Sequence, residues 1–263
     1  MKGLAVLAAL LLAVPAGAAE RRIRLATTTS VENTGLLDLL LPAFKAESGI
    51  EVQAVAVGTG KALKLAENGD VDLVLVHDPE AEEAFMAKGF GRDRTALFRN
   101  EFVLVGPAED PAGTAKAKDL PAAFARIAEQ GSFFISRGDR SGTHARELSV
   151  WRKAGISPSG AWYLEAGQGM GPCLVIAGEK RAYALTDTAT FASFAEKTGL
   201  SVLFKAKPPL VNPYSLILVD PKVHPAVSFK EAGEFLAWMK SKRARSLVAG
   251  FKKEGKTLFV PGR

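Results

Sequence analysis

Asp72-Leu73-Val74-Leu75-Val76-His77-Asp78-Pro79 is the stretch whose reading decides the fold. Leu73 to Val76 is apolar at every position, with no alternation. That predicts a strand buried on both faces, as in a parallel sheet covered by helices on each side. His77-Asp78-Pro79 then opens a helix over 80–88. Working back towards the N-terminus, the same unit recurs. Ile23-Arg24-Leu25-Ala26 is a short strand ending in Thr27-Thr28-Thr29-Ser30. Leu36, Leu37, Leu40, Leu41 and Phe44 then form one helical stripe closed by Gly49. Pro42 inside that stripe predicts a kink or a break. A strand over 50–57 runs into Gly58-Thr59-Gly60-Lys61 and a helix over 62–67, stopped by Asn68-Gly69. Alternating strand and helix is the mark of a parallel α/β arrangement.

Working forward, 101–106 (Glu-Phe-Val-Leu-Val-Gly) reads as another buried strand, ended by Pro107. After Asp110-Pro111 the alternation restarts with a helix over 120–130 and a strand over 133–135. The turn Ser136-Arg137-Gly138-Asp139-Arg140-Ser141-Gly142-Thr143 and a helix over 145–153 follow. A strand near 162–165 leads to the glycine-rich turn 167–171 and a helix to 177. A strand over 183–185 ends in Thr186-Asp187-Thr188, and a helix to 197 precedes a strand over 202–204. Lys207-Pro208-Pro209 is a stiff linker. A strand over 213–219 and an amphipathic helix carrying Phe229, Phe235, Leu236 and Met239 close the series. The breaks at 106–111 and 206–209 divide the chain into an outer pair of segments around a middle one. The expectation is an α/β clamshell: lobe 1 from 20–106 and 207–263, lobe 2 from 107–206, each a mainly parallel sheet flanked by helices. Two crossover strands form the hinge, and a ligand sits in the cleft at the carboxyl ends of the strands.

The chain of 263 residues, 48% hydrophobic and 24% charged, is long enough for a substantial core and is not of disordered composition. Only Leu4 to Val14 is long and apolar enough to look membranous, and it is too short to span a bilayer. With Lys2 ahead and Ala16-Gly17-Ala18 behind, residues 1–19 read as a signal peptide cleaved near Ala18 or Ala19, which places the mature protein in the periplasm. Removing it leaves 33 basic against 28 acidic residues, a net of +5. That excess is spread over mixed-sign runs such as Lys240 to Arg245, which read as solvated helix faces. Nucleic acid is therefore an improbable partner. Cys173 is the only cysteine, so an internal disulfide is excluded and a buried, inert thiol is expected.

Three strand-to-helix turns are rich in hydroxyls: Thr27-Thr28-Thr29-Ser30, Gly58-Thr59-Gly60-Lys61 and Arg137 to Thr143. Taken singly, each hydroxyl is an ordinary helix cap. Together, with an arginine in one of them, they suit an oxyanion better. Helix starts offer unpaired N–H groups and the positive dipole end. Hydrogen bonds to a charged group contribute roughly 1.5–3 kcal/mol each, so half a dozen donors can hold a dianion. Arg137 can bond two oxygens at once, and its competing role is a salt bridge with Asp139 or Glu147. Ser141, His144 and Asp139 are the residue types of a secreted serine hydrolase, but their crowding in one turn and the lack of a G-x-S-x-G elbow count against catalysis. The three histidines have no metal-ligand spacing, so neither a metal nor a cofactor is expected. His77 reads as a strand-end or helix-start residue rather than a ligand.

Seven stretches, in this order, carry a resemblance that spans nearly the whole chain after residue 19. They are Ala26-Thr-Thr-Thr-Ser30, Val57-Gly-Thr-Gly-Lys61, Val76-His-Asp-Pro79, Asn100-Glu-Phe-Val-Leu-Val-Gly-Pro107, Ser136-Arg-Gly-Asp-Arg-Ser-Gly-Thr-His144, Gly167-Gln-Gly-Met-Gly171 and Tyr183-Ala-Leu-Thr-Asp187. The chain resembles the periplasmic tungstate-binding proteins of ABC transporters. The resemblance implies a two-lobed type II periplasmic binding fold, a monomer without catalysis, capture of tungstate (molybdate second), and delivery to a membrane permease. It also implies that Thr28, Thr29, Ser30, Thr59, Arg137, Ser141 and Thr143 bind the oxyanion, with Arg137 as the charged contact. Asn100-Glu101 departs from the family's Asn-Asp at a position expected to lie outside the site. Phosphate-binding proteins share a related Arg/Asp/Ser-Gly-Thr turn, so phosphate is the competing ligand. Hydrogen phosphate keeps a proton and needs a carboxylate acceptor, whereas tungstate needs donors only. Asp139 decides between them.

Overall fold

The computed structural model describes residues 21–253 and 255–262; the expected signal peptide lies outside the described residues. The first half of the alternation folds as read. Strand β1 (Arg22–Thr28) lies between β2 (Glu51–Val57) and β3 (Leu73–Val76), parallel to both. Helix α1 (Thr29–Glu32), α2 (Leu36–Ser48), α3 (Thr59–Glu67) and α4 (Pro79–Ala87) fill the connections. Helix α2 runs through Pro42 as one element and buries Leu36, Leu37, Leu40 and Phe44. All four residues of β3 are fully buried. Leu73 and Leu75 pack with Leu25, Phe44 and Phe235 on one face of the sheet, while Val74 and Val76 pack with Ala62 and Phe85 on the other. Two covered faces are what an unbroken apolar run requires.

Strand β4 (Gly91–Pro107) is longer than its sequence signature, which showed only the apolar second half. Its first half carries Arg92, Asp93, Arg94 and Arg99 at largely exposed positions, with two register irregularities against β9 (Val211–Val219). Charged positions and an interrupted register hide the period-2 pattern. The middle of the chain adds α5 (Leu120–Glu129), β5 (Phe134–Ser136), α6 (Gly142–Lys153), β6 (Tyr163–Glu165), α7 (Met170–Glu179), β7 (Ala184–Asp187), α8 (Thr188–Thr198) and β8 (Leu200–Lys205). Helices α9 (Phe229–Met239) and α10 (Lys242–Gly250) follow β9 and pack on the face that α2 covers.

The pairings of β4 and β9 are all antiparallel, so the sheets are mixed rather than mainly parallel. The parallel order holds for β2–β1–β3 and for β5–β6. Through Glu101, β4 pairs with β9; from Phe102 and Val103 onward it pairs with β7 and β8. One strand therefore serves both halves of the molecule. In the second half the same two-faced packing recurs. Phe102, Phe134 and Tyr183 lie with Phe124 and Trp151 on one face, and Val103, Ile135 and Ala184 lie with Cys173 and Leu174 on the other. Cys173 is fully buried, and burial pushes its thiol up to about 12.

Candidate functional site

The three hydroxyl-rich turns come together where the two halves meet. A Cβ built on Gly58 would lie 3.9 Å from Asp139 Oδ2, and one on Gly60 would lie 3.7 Å from the Arg140 carbonyl. The start of α3 thus faces the 137–143 turn. The start of α6 sits against the end of β3 so closely that a Cβ on Gly142 would be 2.8 Å from the His77 carbonyl oxygen. A glycine is needed for that approach. The glycine-rich turn at 167–171, absent from the expected site, faces it as well: Gly169 caps α7, and its Cβ position is 3.3 Å from Thr29 Oγ1. Helix starts from both halves converge on one place, and their N–H groups and dipoles favour negative charge there. Beside it lies a cavity of about 170 Å³ lined by residues of 77–80 and of 142–152.

Capping accounts for only part of the hydroxyl set. Ser141 is the N-cap of α6, and its Oγ accepts the His144 N–H at 3.3 Å. Thr28 holds the N-cap position of α1 without capping it; its Oγ1 lies 2.9 Å from Ser30 Oγ instead. Thr59 and Thr143 are inside the first turns of α3 and α6, each about 1% exposed. The hydroxyls of Thr29, Thr59 and Thr143 are buried and have no hydrogen-bond partner among the described residues. Native structures pair most buried polar atoms, so three such hydroxyls at one locus mark a place where donors are held ready.

Arg137 follows β5 and is 3% exposed. Its Nε and Nη2 both donate to Asp139 Oδ2, the former at 3.1 Å. Asp139 Oδ1 accepts the Ser141 N–H at 3.1 Å. Both carboxylate oxygens are therefore committed within the turn, and the salt-bridge partner of Arg137 is Asp139. Glu147, the other candidate, instead accepts from Trp151 Nε1 at 3.2 Å and Tyr163 Oη at 2.8 Å. Burial raises its carboxyl to about 7. His144 Nδ1 accepts the Arg140 N–H at 3.1 Å, while burial holds its pKa below the ordinary histidine value. Ser141 thus has no imidazole base, and the residues of the hydrolase reading form no proton relay.

His77 is part of this site, which its reading as a strand-end residue missed. It does directly follow β3, but its ring is buried, with Nε2 3.0 Å from Ser30 Oγ and Nδ1 2.9 Å from Asn212 Oδ1. Asn212 Nδ2 donates to Asn100 Oδ1 at 2.8 Å, and Asn100 Nδ2 donates to Asp187 Oδ1 at 2.7 Å. Asn100 belongs to β4, the strand that serves both halves, and Asn212 to its neighbour β9. The 100–101 position therefore does not touch the hydroxyl set but is joined to it through His77. A histidine at the carboxyl end of an apolar strand was the available signal.

Residues 13–243 match the sequence profile of the PBP superfamily domain. The Tungstate-binding protein TupA of Peptoclostridium acidaminophilum is 43% identical over 247 residues, 92% of this chain and 86% of that protein. The chain belongs to this family of binding proteins. Two solved structures of the family superpose on it. That of the tungstate ABC transporter from Geobacter sulfurreducens has a TM-score of 0.81 and 47% identity, covering 88% of this chain and 98% of its own. The Tungstate binding protein TupA from Desulfovibrio alaskensis G20 has a TM-score of 0.78 and 44% identity, covering 92% and 99%. Membership fixes the architecture as the type II periplasmic binding fold, a mixed α/β structure with helices packed on both faces of its sheets.

Proposed function

We propose that this protein is the periplasmic component of an ABC transporter that captures tungstate, with molybdate second, and hands it as a monomer to the membrane permease without catalysis. Thr28, Thr29, Ser30, Thr59, Arg137, Ser141 and Thr143 surround the oxyanion. The helix starts of both lobes supply further N–H donors. The lobes follow the expected 20–106 with 207–263 and 107–206, with the first boundary moved back into β4, because residues through Glu101 pair with β9 and those from Phe102 onward pair with β7 and β8. One observation carries the choice of ligand: both oxygens of Asp139 are occupied, by Arg137 and by the Ser141 N–H. Those bonds engage Asp139 within its own turn, which weighs against its serving as the carboxylate acceptor that hydrogen phosphate would need, and the remaining groups suit a bare dianion.

Parallel calorimetric titrations with tungstate, molybdate, sulfate and phosphate test this reading. Saturable one-to-one heat with tungstate and molybdate, and weak or no heat with phosphate, is expected. Silence with both metal oxyanions, or tighter binding of phosphate, would sink it.

A further inference from the structure

We propose that His77 is a further residue of the oxyanion site: it sets the direction of the Ser30 hydroxyl proton and takes up a proton when a bare dianion binds. The inference rests on the oxyanion reading above and deepens it. It follows from the direction of the buried hydrogen-bond chain that starts at Asp187. Asp187 Oδ1 accepts the N–H groups of Ala189 at 3.1 Å and Thr190 at 2.9 Å, capping α8, and it also accepts from Asn100. A carboxylate has nothing to donate, so Asn100 turns its NH₂ to Asp187 and its oxygen to Asn212. Asn212 in turn directs its NH₂ at Asn100 and at Tyr214 Oη (3.0 Å), leaving its oxygen to face His77. His77 Nδ1 must therefore carry the hydrogen.

Neutral imidazole has one N–H, so His77 Nε2 is an acceptor and Ser30 Oγ, 3.0 Å away, donates to it. Thr28 Oγ1, 2.9 Å from Ser30 Oγ, is then free to donate inward too. In this state the protons run away from the cleft, and an anion arriving at Thr28 and Ser30 meets lone pairs. A second proton on Nε2 reverses the arrangement. Nε2–H then donates to Ser30 Oγ, and the Ser30 hydrogen turns towards the anion. Asn212 still accepts from Nδ1. The step adds one proton from solvent to His77 and breaks no bond.

The surroundings suit such a change on binding. Burial is the main influence holding His77 neutral, and the Arg137 guanidinium acts in the same direction. Asp187, at the start of α8, and Asp78, next in the chain, both favour the imidazolium. The Tyr214 ring from β9, its centroid 4.8 Å from that of His77, covers the remaining side, and its hydroxyl lies by Ser30. With Arg137 paired to Asp139, the incoming dianion shifts the balance towards the charged ring.

Calorimetry with tungstate in two buffers of different ionisation enthalpy, repeated from pH 6.5 to 8.5, counts the protons. The wild type should take up close to one, and its affinity should fall by up to about tenfold per pH unit between the free and bound pKa of His77. His77→Gln should bind with no uptake and a flat pH profile. Imidazole nitrogen NMR of the wild type provides a test that needs no variant: a hydrogen on Nδ1 alone without tungstate, and on both nitrogens with it. Binding without proton uptake, or uptake unchanged in His77→Gln, overturns the proposal. Absence of tungstate binding would refute the oxyanion reading instead, so the two failures are distinguishable.

Discussion

Replacing Thr59 with valine should change stability and binding in opposite directions. The side chain is about 1% exposed and its Oγ1 has no partner among the described residues. A buried hydroxyl left unpaired costs about 1–3 kcal/mol. Valine keeps the branched shape without the hydroxyl, so the free protein should gain stability of that order, a rise of about 2–4 °C in melting temperature per kcal/mol for a chain of this size. The same hydroxyl is assigned to the oxyanion, and a hydrogen bond to a charged group contributes roughly 1.5–3 kcal/mol. Binding should therefore weaken by roughly 10- to 150-fold. Thermal melts with and without tungstate, read beside calorimetry, give both quantities from one preparation. A variant that melts lower than the wild type and binds tungstate unchanged would mean that Thr59 Oγ1 serves the fold and not the ligand.

Arg137→Ala should cost about 2–5 kcal/mol of binding, roughly 30- to 4,000-fold, because it removes the buried cation and leaves the Asp139 carboxylate facing the anion. Adding Asp139→Asn should recover part of that loss, and a single-variant loss below about threefold would show that Arg137 is not a ligand contact. Gly142→Ala adds a Cβ 2.8 Å from the His77 carbonyl oxygen. It should favour the helix by about 0.5–1 kcal/mol yet wedge the lobes apart at roughly 1–3 kcal/mol of binding. Small-angle scattering should show less compaction with tungstate than in the wild type, and wild-type compaction would refute the wedge. Glu147, its carboxyl raised to about 7 by burial, binds more proton in the folded than in the unfolded state between pH 4.5 and 7. Its contribution is complete below that window and is lost as pH rises through it. Unfolding free energy should shift in favour of Glu147→Gln across those units, by up to about 3 kcal/mol; a pH-independent difference would contradict the shift.

What could be read in advance was whatever local pattern controls. The apolar run Leu73 to Val76 announces burial on two faces because no polar residue interrupts it, and Gly49 ends α2 as its sequence suggested. The first half of β4 was hidden because Arg92, Asp93, Arg94 and Arg99 point to solvent, and its partner β9 lies more than 100 residues further on. The site divides in the same way. The seven assigned residues lie in strand-to-helix turns that can be recognised one at a time. Whether a given hydroxyl caps its helix depends on rotamer and neighbours, and here Ser141 caps while Thr28 does not. His77, Asn100, Asn212 and Asp187 come from four separate places and have no spacing to betray them. Only the pairing of β4 with β9 in one half and with β7 in the other brings them into line.

The position of β9 between β3 and β4 sets an order of assembly. The first sheet lacks its central strand until residue 219 is available, although its other long strands are encoded before residue 108. The middle segment, contiguous from the second half of β4 to β8, contains every strand partner of β5 to β8 and so can pair its strands earlier. A chain emerging N-terminus first must therefore keep an early, apolar lobe open while a later one closes. That arrangement delays completion of the fold until most of the polypeptide has been delivered.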